Sequence, residues 1–257
     1  MTSPAVLTAA ALQGRVALVS GAATGIGRAT ALALAQAGAS VAVNHLAQAA
    51  AAATLVHELH TLGANACAVE ADVTRADDVA QMLAGVEQVL GPVDVLVNNA
   101  GIIQEKSLLD TTEEEWDRML AVDLKSVFLL SRAVLPGMLT RGQGVIINIA
   151  SDLGLLGRSG FAAYCAAKAG VIGLTRAMAR EFAPAIRINA VAPGAVNTAM
   201  VSSAAMSAQS LAQELAVPQG RIAEPEEIAA TVVFLASDQA RFYCGQVLSP
   251  NGGSVMV

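Results

Sequence analysis

Short runs rich in β-branched residues return along this chain at intervals filled by alanine-rich segments, and that alternation constrains the fold more than any other feature. The runs are RVALVS (15–20), ASVAVN (39–44), ACAVEAD (66–72), VDVLVNN (93–99), GVIINIAS (144–151) and IRINAVAP (186–193), followed by QVLSPNGG at 246–253. Strands separated by a dozen or more helical residues need crossover connections, so they run parallel in a sheet covered on both faces. The expected fold is therefore α/β: a doubly wound parallel sheet of about seven strands, in a single domain over residues 1–257. Long helices are expected at 111–138 and 160–181. In such a sheet ligands bind beyond the carboxyl ends of the strands.

The chain has 257 residues, enough for one large α/β domain and short for two. Because 54% of it is hydrophobic and only 14% charged, most elements lack a broad solvated face, which points to a buried sheet and to subunit contacts. The net charge of -6 comes without a basic cluster, which excludes nucleic acid as a partner and leaves a small neutral or acidic metabolite. Cys67, Cys165 and Cys244 have neither CxxC nor Cys/His spacing, so no metal site and no disulfide framework is expected. They read as small buried hydrophobes in a reducing compartment. The longest uncharged stretch, 29–57, is interrupted by Gln36, Gly38, Ser40, Asn44 and His45 and does not read as a membrane span. Residues 1–13 lack the basic segment of a secretory signal, so a soluble cytoplasmic protein is expected.

The first strand runs into Gly21-Ala22-Ala23-Thr24-Gly25-Ile26-Gly27 and then into an alanine-rich helix closed by Gly38. Glycines let the backbone turn sharply and approach a pyrophosphate, whose charge meets the free N–H groups of the helix N-terminus. Strand, glycine turn and helix in the first βα unit make the sheet Rossmann-like and the expected ligand a dinucleotide. An acidic residue about 20 residues past the glycines would bind a ribose 2′-hydroxyl and repel a 2′-phosphate. Asn44, His45 and Leu46 stand there instead, and no Asp or Glu occurs before Glu58. The basic side chain nearby is Arg28, inside the helix. The balance tilts slightly to NADP(H) over NAD(H), with Asn44 and His45 offering neutral hydrogen bonds and dual use left open.

Further motifs resemble the short-chain dehydrogenase/reductases, most closely the branch of 3-oxoacyl-acyl-carrier-protein reductases and bacterial sugar or secondary-alcohol dehydrogenases. The resemblance runs from Leu12 to Gly253. SGAATGIG (20–27) is similar to that family's cofactor turn, with Ser20 where threonine is commoner. Asp72 and Val73 resemble its adenine-contacting pair, and NNAG (98–101), with Asn99, Ala100 and Gly101, the motif that braces the sheet beside the cofactor. PGAVNT (193–198), with Pro193, Gly194, Val196 and Thr198, resembles its nicotinamide-carboxamide loop. Ser151, Tyr164 and Lys168 fall at its catalytic spacing.

The resemblance implies a carbonyl reductase or alcohol dehydrogenase, of ketone or 3-oxoacyl type, with a sugar or polyol dehydrogenase as the alternative. Tyr164 and Lys168, four apart in a helical segment, share one face. An ordinary tyrosine titrates near ~10, and a neighbouring ammonium favours the phenolate, so proton exchange is expected to move toward working pH. In the implied mechanism Tyr164 passes the proton, Lys168 also binds the nicotinamide ribose, and Ser151 hydrogen-bonds the substrate oxygen. Asp123 in AVDLKSVF stands where the family usually has an asparagine that holds a relay water and bonds a backbone carbonyl. A carboxylate can accept from the water or pair with Lys168 but has no donor for that carbonyl. Asp123 and the mixed cofactor signals favour the competing reading, a dinucleotide-binding protein of low turnover.

The interval 198–225, with Met200 and Met206, reads as a lid or substrate loop, and Ile103, Gln104, Asp152, Leu153 and Met200 as pocket lining by their places beside the motifs. Thr111 or Asp110 is expected to cap the helix that carries Trp116, with acids in its first turn. Cys165 reads as packing. Composition and helix length point to a homo-oligomer and the resemblance to a homotetramer; the C-terminal segment up to Val257 is a candidate for such an interface.

Overall fold

The alternation is realised as a seven-stranded parallel sheet in the computed structural model, which describes residues 11–201 and 207–256. The first half runs β1 (Val16–Val19), α1 (Gly25–Gln36), β2 (Ser40–His45), α2 (Ala49–Thr61), β3 (Ala66–Glu70), α3 (Ala76–Leu90) and β4 (Val95–Asn98). After α4 (Glu113–Leu120) a π-helical turn, Ala121–Lys125, leads directly into α5 (Ser126–Arg141). The rest is β5 (Gly144–Ile149), α6 (Leu153–Leu156), α7 (Ala162–Phe182), β6 (Ile186–Val191), α8 (Ala208–Leu215), α9 (Pro225–Ala236) and β7 (Val247–Leu248).

The strand order β3-β2-β1-β4-β5-β6-β7 is doubly wound: the chain moves outward from β1 to β3, returns, and resumes on the other side of β1. Successive strand residues point to opposite faces, which divides the core in two. Ala17 and Val19 pack with Leu34 of α1, Leu55 and Leu59 of α2, and Ile228 and Val232 of α9. Val16 and Leu18 pack with Val79 and Met82 of α3, Leu130 and Met138 of α5, and Met178 of α7. Among the described residues no helix is long and apolar enough to cross a membrane, and no cluster of His, Cys, Asp or Glu is arranged to hold a metal.

Three boundaries differ from the sequence reading. The helix over 111–138 is broken at its middle by the π turn, whose extra residue accompanies the complete burial of Asp123. The cap of α4 is Thr112, neither Thr111 nor Asp110: Thr112 Oγ1 accepts from Glu115 N–H while the Glu115 carboxylate accepts from Thr112 N–H. Asp110 is engaged one turn earlier with Ser107. The last strand covers Val247–Leu248 only, because Pro250 has no N–H to give and Gly252 and Gly253 adopt positive φ. Met206 and Val257 lie outside the described residues.

Arg187 shows how the far side of the sheet is fastened. From β6 its guanidinium donates to the carbonyls of Leu235, Ala236, Ser237 and Ala240, at 2.7, 3.2, 3.1 and 3.3 Å, and so satisfies the C-terminal end of α9. Arg187→Met removes the charged donor from all four carbonyls, of which Ser237 and Ala240 keep backbone partners in Ala240 N–H and Tyr243 N–H, and is expected to cost about 2 kcal/mol, since a bond to a charged group contributes roughly 1.5–3 kcal/mol. Urea unfolding of the two proteins measures it; an unchanged midpoint would refute the assignment.

Candidate active site

Where the chain reverses its winding, the loops after β1 and β4 diverge and leave a crevice at the carboxyl edge. A cavity of about 870 Å³ opens there. Gly21, with φ +59°, makes the turn out of β1, and a Cβ on it would lie 2.9 Å from Ala100 Cα. Thr24, Gly25 and Ile26 line the cavity at the start of α1. That helix has no side-chain cap and no acid in its first turn, so its free N–H groups are left for an anion. An uncapped helix end behind a glycine turn fits the pyrophosphate of a dinucleotide.

Ser20 and Asn99 brace this end. Ser20 Oγ accepts from the N–H groups of Asn99 and Ala100 at 2.9 and 3.0 Å. The Asn99 amide donates to the carbonyls of Ser20 and Gly21 at 2.9 and 3.0 Å. Asn99, Ala100, Gly101, Asp72 and Val73 all stand on the wall. Two Thr74 donors, its hydroxyl at 2.7 Å and its N–H at 2.9 Å, hold the Asp72 carboxyl below the usual carboxylate range, the hydroxyl most.

Two expected cofactor residues are not on the wall. Gly27 lies beneath the turn, where a Cβ would meet Asn99 Nδ2 and the Gly21 carbonyl at 2.5 Å; its role is to permit that close approach. His45 is buried, its Nδ1 accepting from Gln48 N–H at 3.4 Å. Strand alternation explains it: Asn44 faces the cavity, so its neighbour faces away. Asn44 is itself a strut, accepting from Gly21 N–H at 3.1 Å and donating to the Ala71 carbonyl at 3.2 Å.

At the other end, α7 brings Tyr164 and Lys168 to the wall one turn apart, and Ser151 stands just past β5. Lys168 is almost fully buried: its ammonium lies 3.1 Å from Asp123 Oδ2, donates to the Ile149 carbonyl at 3.1 Å and sits 5.6 Å from the centre of the Tyr164 ring. Asp123 Oδ1 accepts from Ile102 N–H at 2.8 Å. Ser151 Oγ donates to Asp152 Oδ1 at 3.2 Å and accepts from Leu153 N–H at 3.2 Å. Pro193, Gly194, Val196 and Thr198 complete this end.

Burial pushes the Asp123 carboxyl up, against the pull of Lys168. For Lys168 burial acts the other way, but Asp123 and Tyr164 outweigh it, and the ammonium is held above its usual range. Tyr164 also ends above its ordinary value: burial raises it, Lys168 draws it down, and the Asp123 carboxylate opposes Lys168. The expectation that the neighbouring ammonium brings the phenol toward working pH is thus corrected; the attraction has the expected sign and is outweighed.

Of the other expected lining residues, Ile103, Asp152, Leu153 and Met200 are on the wall. Gln104 is not; its amide donates to Glu115 Oε1 at 2.8 Å. Trp116 is off the wall too, and Cys165 packs with Leu153 and Phe161. The sequence reading missed Leu46, Gln48, Arg118 and Glu214 as lining. Glu214 left one signal: it is the sole ionisable residue between Thr198 and Arg221.

Asp123→Asn removes a negative charge beside Tyr164 and Lys168, so the pair should lose its first proton at lower pH, by about one unit for a charge at this range. Phenolate absorbance during alkaline titration, with a Tyr164→Phe protein as blank, reads the shift. No shift, or an upward one, would mean that Asp123 is not coupled to the pair.

The family model described as Enoyl-(Acyl carrier protein) reductase matches residues 21–254. The chain is 44% identical over 243 residues to a 3-oxoacyl-[acyl-carrier-protein] reductase FabG of Staphylococcus epidermidis, covering 93% of this chain and 98% of the relative. It is 43% identical over 247 residues to the FabG of Vibrio cholerae, covering 96% and 99%. With the 3-oxoacyl-[acyl-carrier-protein] reductase of Synechocystis it shares 44% over 248 residues, again 96% and 99%. The chain belongs to the short-chain dehydrogenase/reductase family of nicotinamide-dependent oxidoreductases.

Proposed function

We propose that this chain, as one catalytic unit, interconverts a carbonyl and a secondary alcohol on a small substrate, with Ser151, Tyr164 and Lys168 as its catalytic residues. The observation that carries the reading is their meeting on one wall of the cavity whose other end is the uncapped N-terminus of α1. The dinucleotide, when bound, supplies or accepts the hydride. Tyr164 donates its phenolic proton to the carbonyl oxygen in reduction and takes it back from the alcohol in oxidation. Ser151, whose single hydroxyl proton rests on Asp152 Oδ1, turns it to the same oxygen as charge develops there. Lys168, held by Asp123, keeps a positive charge beneath the phenol and, by family resemblance, would bind the nicotinamide ribose. A raised phenol stays protonated at neutral pH, which suits it to carbonyl reduction. The names of the relatives add 3-oxoacyl thioesters to the substrates worth testing.

Tyr164→Phe removes the proton and little else. It is expected to bind dinucleotide with unchanged affinity and to lose at least about 10²-fold in turnover, the lower range for general acid catalysis. Calorimetry and the absorbance of the reduced cofactor read the two; an active variant would sink the mechanism.

For the cofactor we propose use of both forms with a slight tilt to NADP(H). Arg28 lines the cavity beside Asn44, Leu46 and Gln48, but Glu58 of α2 holds its guanidinium at 2.5 and 2.7 Å, so its charge is largely spent. Glu58→Gln should free Arg28 and tighten NADPH binding by about 10-fold, the worth of one charge-assisted contact, with NADH unaffected. Dissociation constants for the two cofactors decide it; a parallel change in both would place Arg28 elsewhere.

We also infer a cytoplasmic homo-oligomer, a tetramer by family resemblance. Leu109, Phe242 and Met256 are 97%, 98% and 79% exposed, apolar side chains that subunit contacts would cover.

A further inference from the structure

The substrate end of the cavity carries more charge than carbonyl chemistry needs. Asp152 follows Ser151, is 3% exposed and lines the wall. Its Oδ1 accepts from Ser151 Oγ at 3.2 Å and its Oδ2 from Ser254 Oγ. Glu214 of α8, 6% exposed, lines the same end and is paired with Arg158 from the loop after α6. Two carboxylates against one guanidinium leave this wall net negative.

We propose that the substrate carries a hydroxyl next to its reacting carbon, as an α-hydroxy ketone in reduction or a vicinal diol in oxidation, and that Asp152 is the specificity residue that accepts it. This rests on the catalytic assignment above and deepens it. Each carboxylate oxygen can accept two hydrogen bonds, and Asp152 has one on each, so a capacity for donors remains at the wall. Ser151 marks where the reacting oxygen sits; the adjacent carboxylate is therefore placed for a group one carbon away. A 3-oxoacyl thioester has a CH2 on that carbon and a carbonyl acceptor beyond it, so it brings no donor to use the remaining lone pairs of Asp152. An anionic group there meets a like charge. Burial pushes both carboxyls up, and the hydrogen bonds from Ser254 and Ser151 and the Arg158 charge oppose it at Asp152 only in part; in either protonation state the carboxyl keeps oxygen lone pairs that accept. The reaction itself is unchanged. The carbonyl carbon gains the hydride, its oxygen gains the Tyr164 proton, the cofactor is oxidised, and the neighbouring hydroxyl keeps its own proton.

The test compares substrates that differ by one oxygen within the same protein, so a general loss of activity cancels. 3-Hydroxy-2-butanone and 2-butanone are reduced with the preferred cofactor, alongside an acetoacetyl thioester; 2,3-butanediol and 2-butanol serve the reverse direction. The expected preference in kcat/KM for the hydroxylated member is about 30-fold, the worth of one hydrogen bond to a charged group. Asp152→Ala should bring the ratio to near one, while Asp152→Asn, which keeps an accepting oxygen, restores part of it. A ratio near one in the unaltered protein, a better rate on the thioester, or a ratio unmoved by Asp152→Ala would overturn the proposal while Tyr164-dependent turnover of 2-butanone left the catalytic assignment standing. No turnover of any of these substrates would overturn both.

Discussion

The buried pair of Lys168 and Asp123 is the interaction on which the carboxyl edge of this sheet depends. Each charge out of water costs several kcal/mol, and such ions persist only when paired and hydrogen-bonded. Here the ammonium meets a carboxylate at 3.1 Å and the Ile149 carbonyl at 3.1 Å, while Ile102 N–H holds the other carboxylate oxygen at 2.8 Å. The contacts join the loop after β4, the π turn, the end of β5 and α7. The pair therefore sets where α7 lies against the sheet edge, and Tyr164, one turn earlier on that helix, inherits the position. Losing one partner leaves a lone buried charge, worth about 3–5 kcal/mol in comparable cases. A carboxylate at position 123 therefore does more than replace an amide, because it sets the charge of the lysine and, through it, the acidity of the phenol.

Around that pair the edge is held by neutral polar groups, which a sheet buried on both faces tolerates only when they are bonded. Asn98 donates to Asn148 Oδ1 at 2.7 Å and to Ser131 Oγ at 3.2 Å, and Asn148 passes the chain to Thr175 Oγ1 at 2.8 Å. This line crosses from β4 through β5, the strand that leads to Ser151, to α7, the helix of Tyr164 and Lys168. With Ser20 and Asn99 bracing the glycine turn, both ends of the cavity stand on side chains locked by their neighbours. A hydride and a proton must reach adjacent atoms, so such rigidity shortens the search for the reacting geometry.

The sheet and the meeting of Tyr164 with Lys168 on one wall were legible because both rest on local pattern: β-branched runs separated by helix-length segments for the strands, one helical turn between Tyr164 and Lys168. What escaped was set by partners distant in sequence. His45 was placed on the cofactor by its distance from the glycines, but the pleat that turns Asn44 toward the cavity turns His45 away. The π turn at Asp123 could not be read from AVDLK, whose residues suit an ordinary helix; it is tied to a carboxylate satisfied by Ile102, 21 residues earlier in the chain. Arg28 was visible as a cation, but its bond to Glu58 comes from a helix 30 residues on, and that bond removes much of its value to a phosphate. The phenol misled for a related reason: a lysine four residues away was apparent, while the burial that raises the phenol most comes from elements distant in sequence.

The substrate end is built on another principle. Helix α8 is fastened by charge at both ends: Glu105 accepts from Ser207 N–H at 2.7 Å and from the hydroxyls of Ser207 and Ser210, and Glu214 pairs with Arg158. These anchors join loops, with no strand or long helix behind them except α8 itself. Ser151, in contrast, hangs from the sheet edge, and Tyr164 and Lys168 from α7. Substitutions in the Arg158, Glu105 and Glu214 set therefore reach the shape and charge of the pocket without passing through the Lys168–Asp123 pair. In this architecture the chemistry is fixed by the fold while the choice of substrate is left to contacts that can change independently, which is why about 44% identity to a named relative carries the reaction further than it carries the substrate.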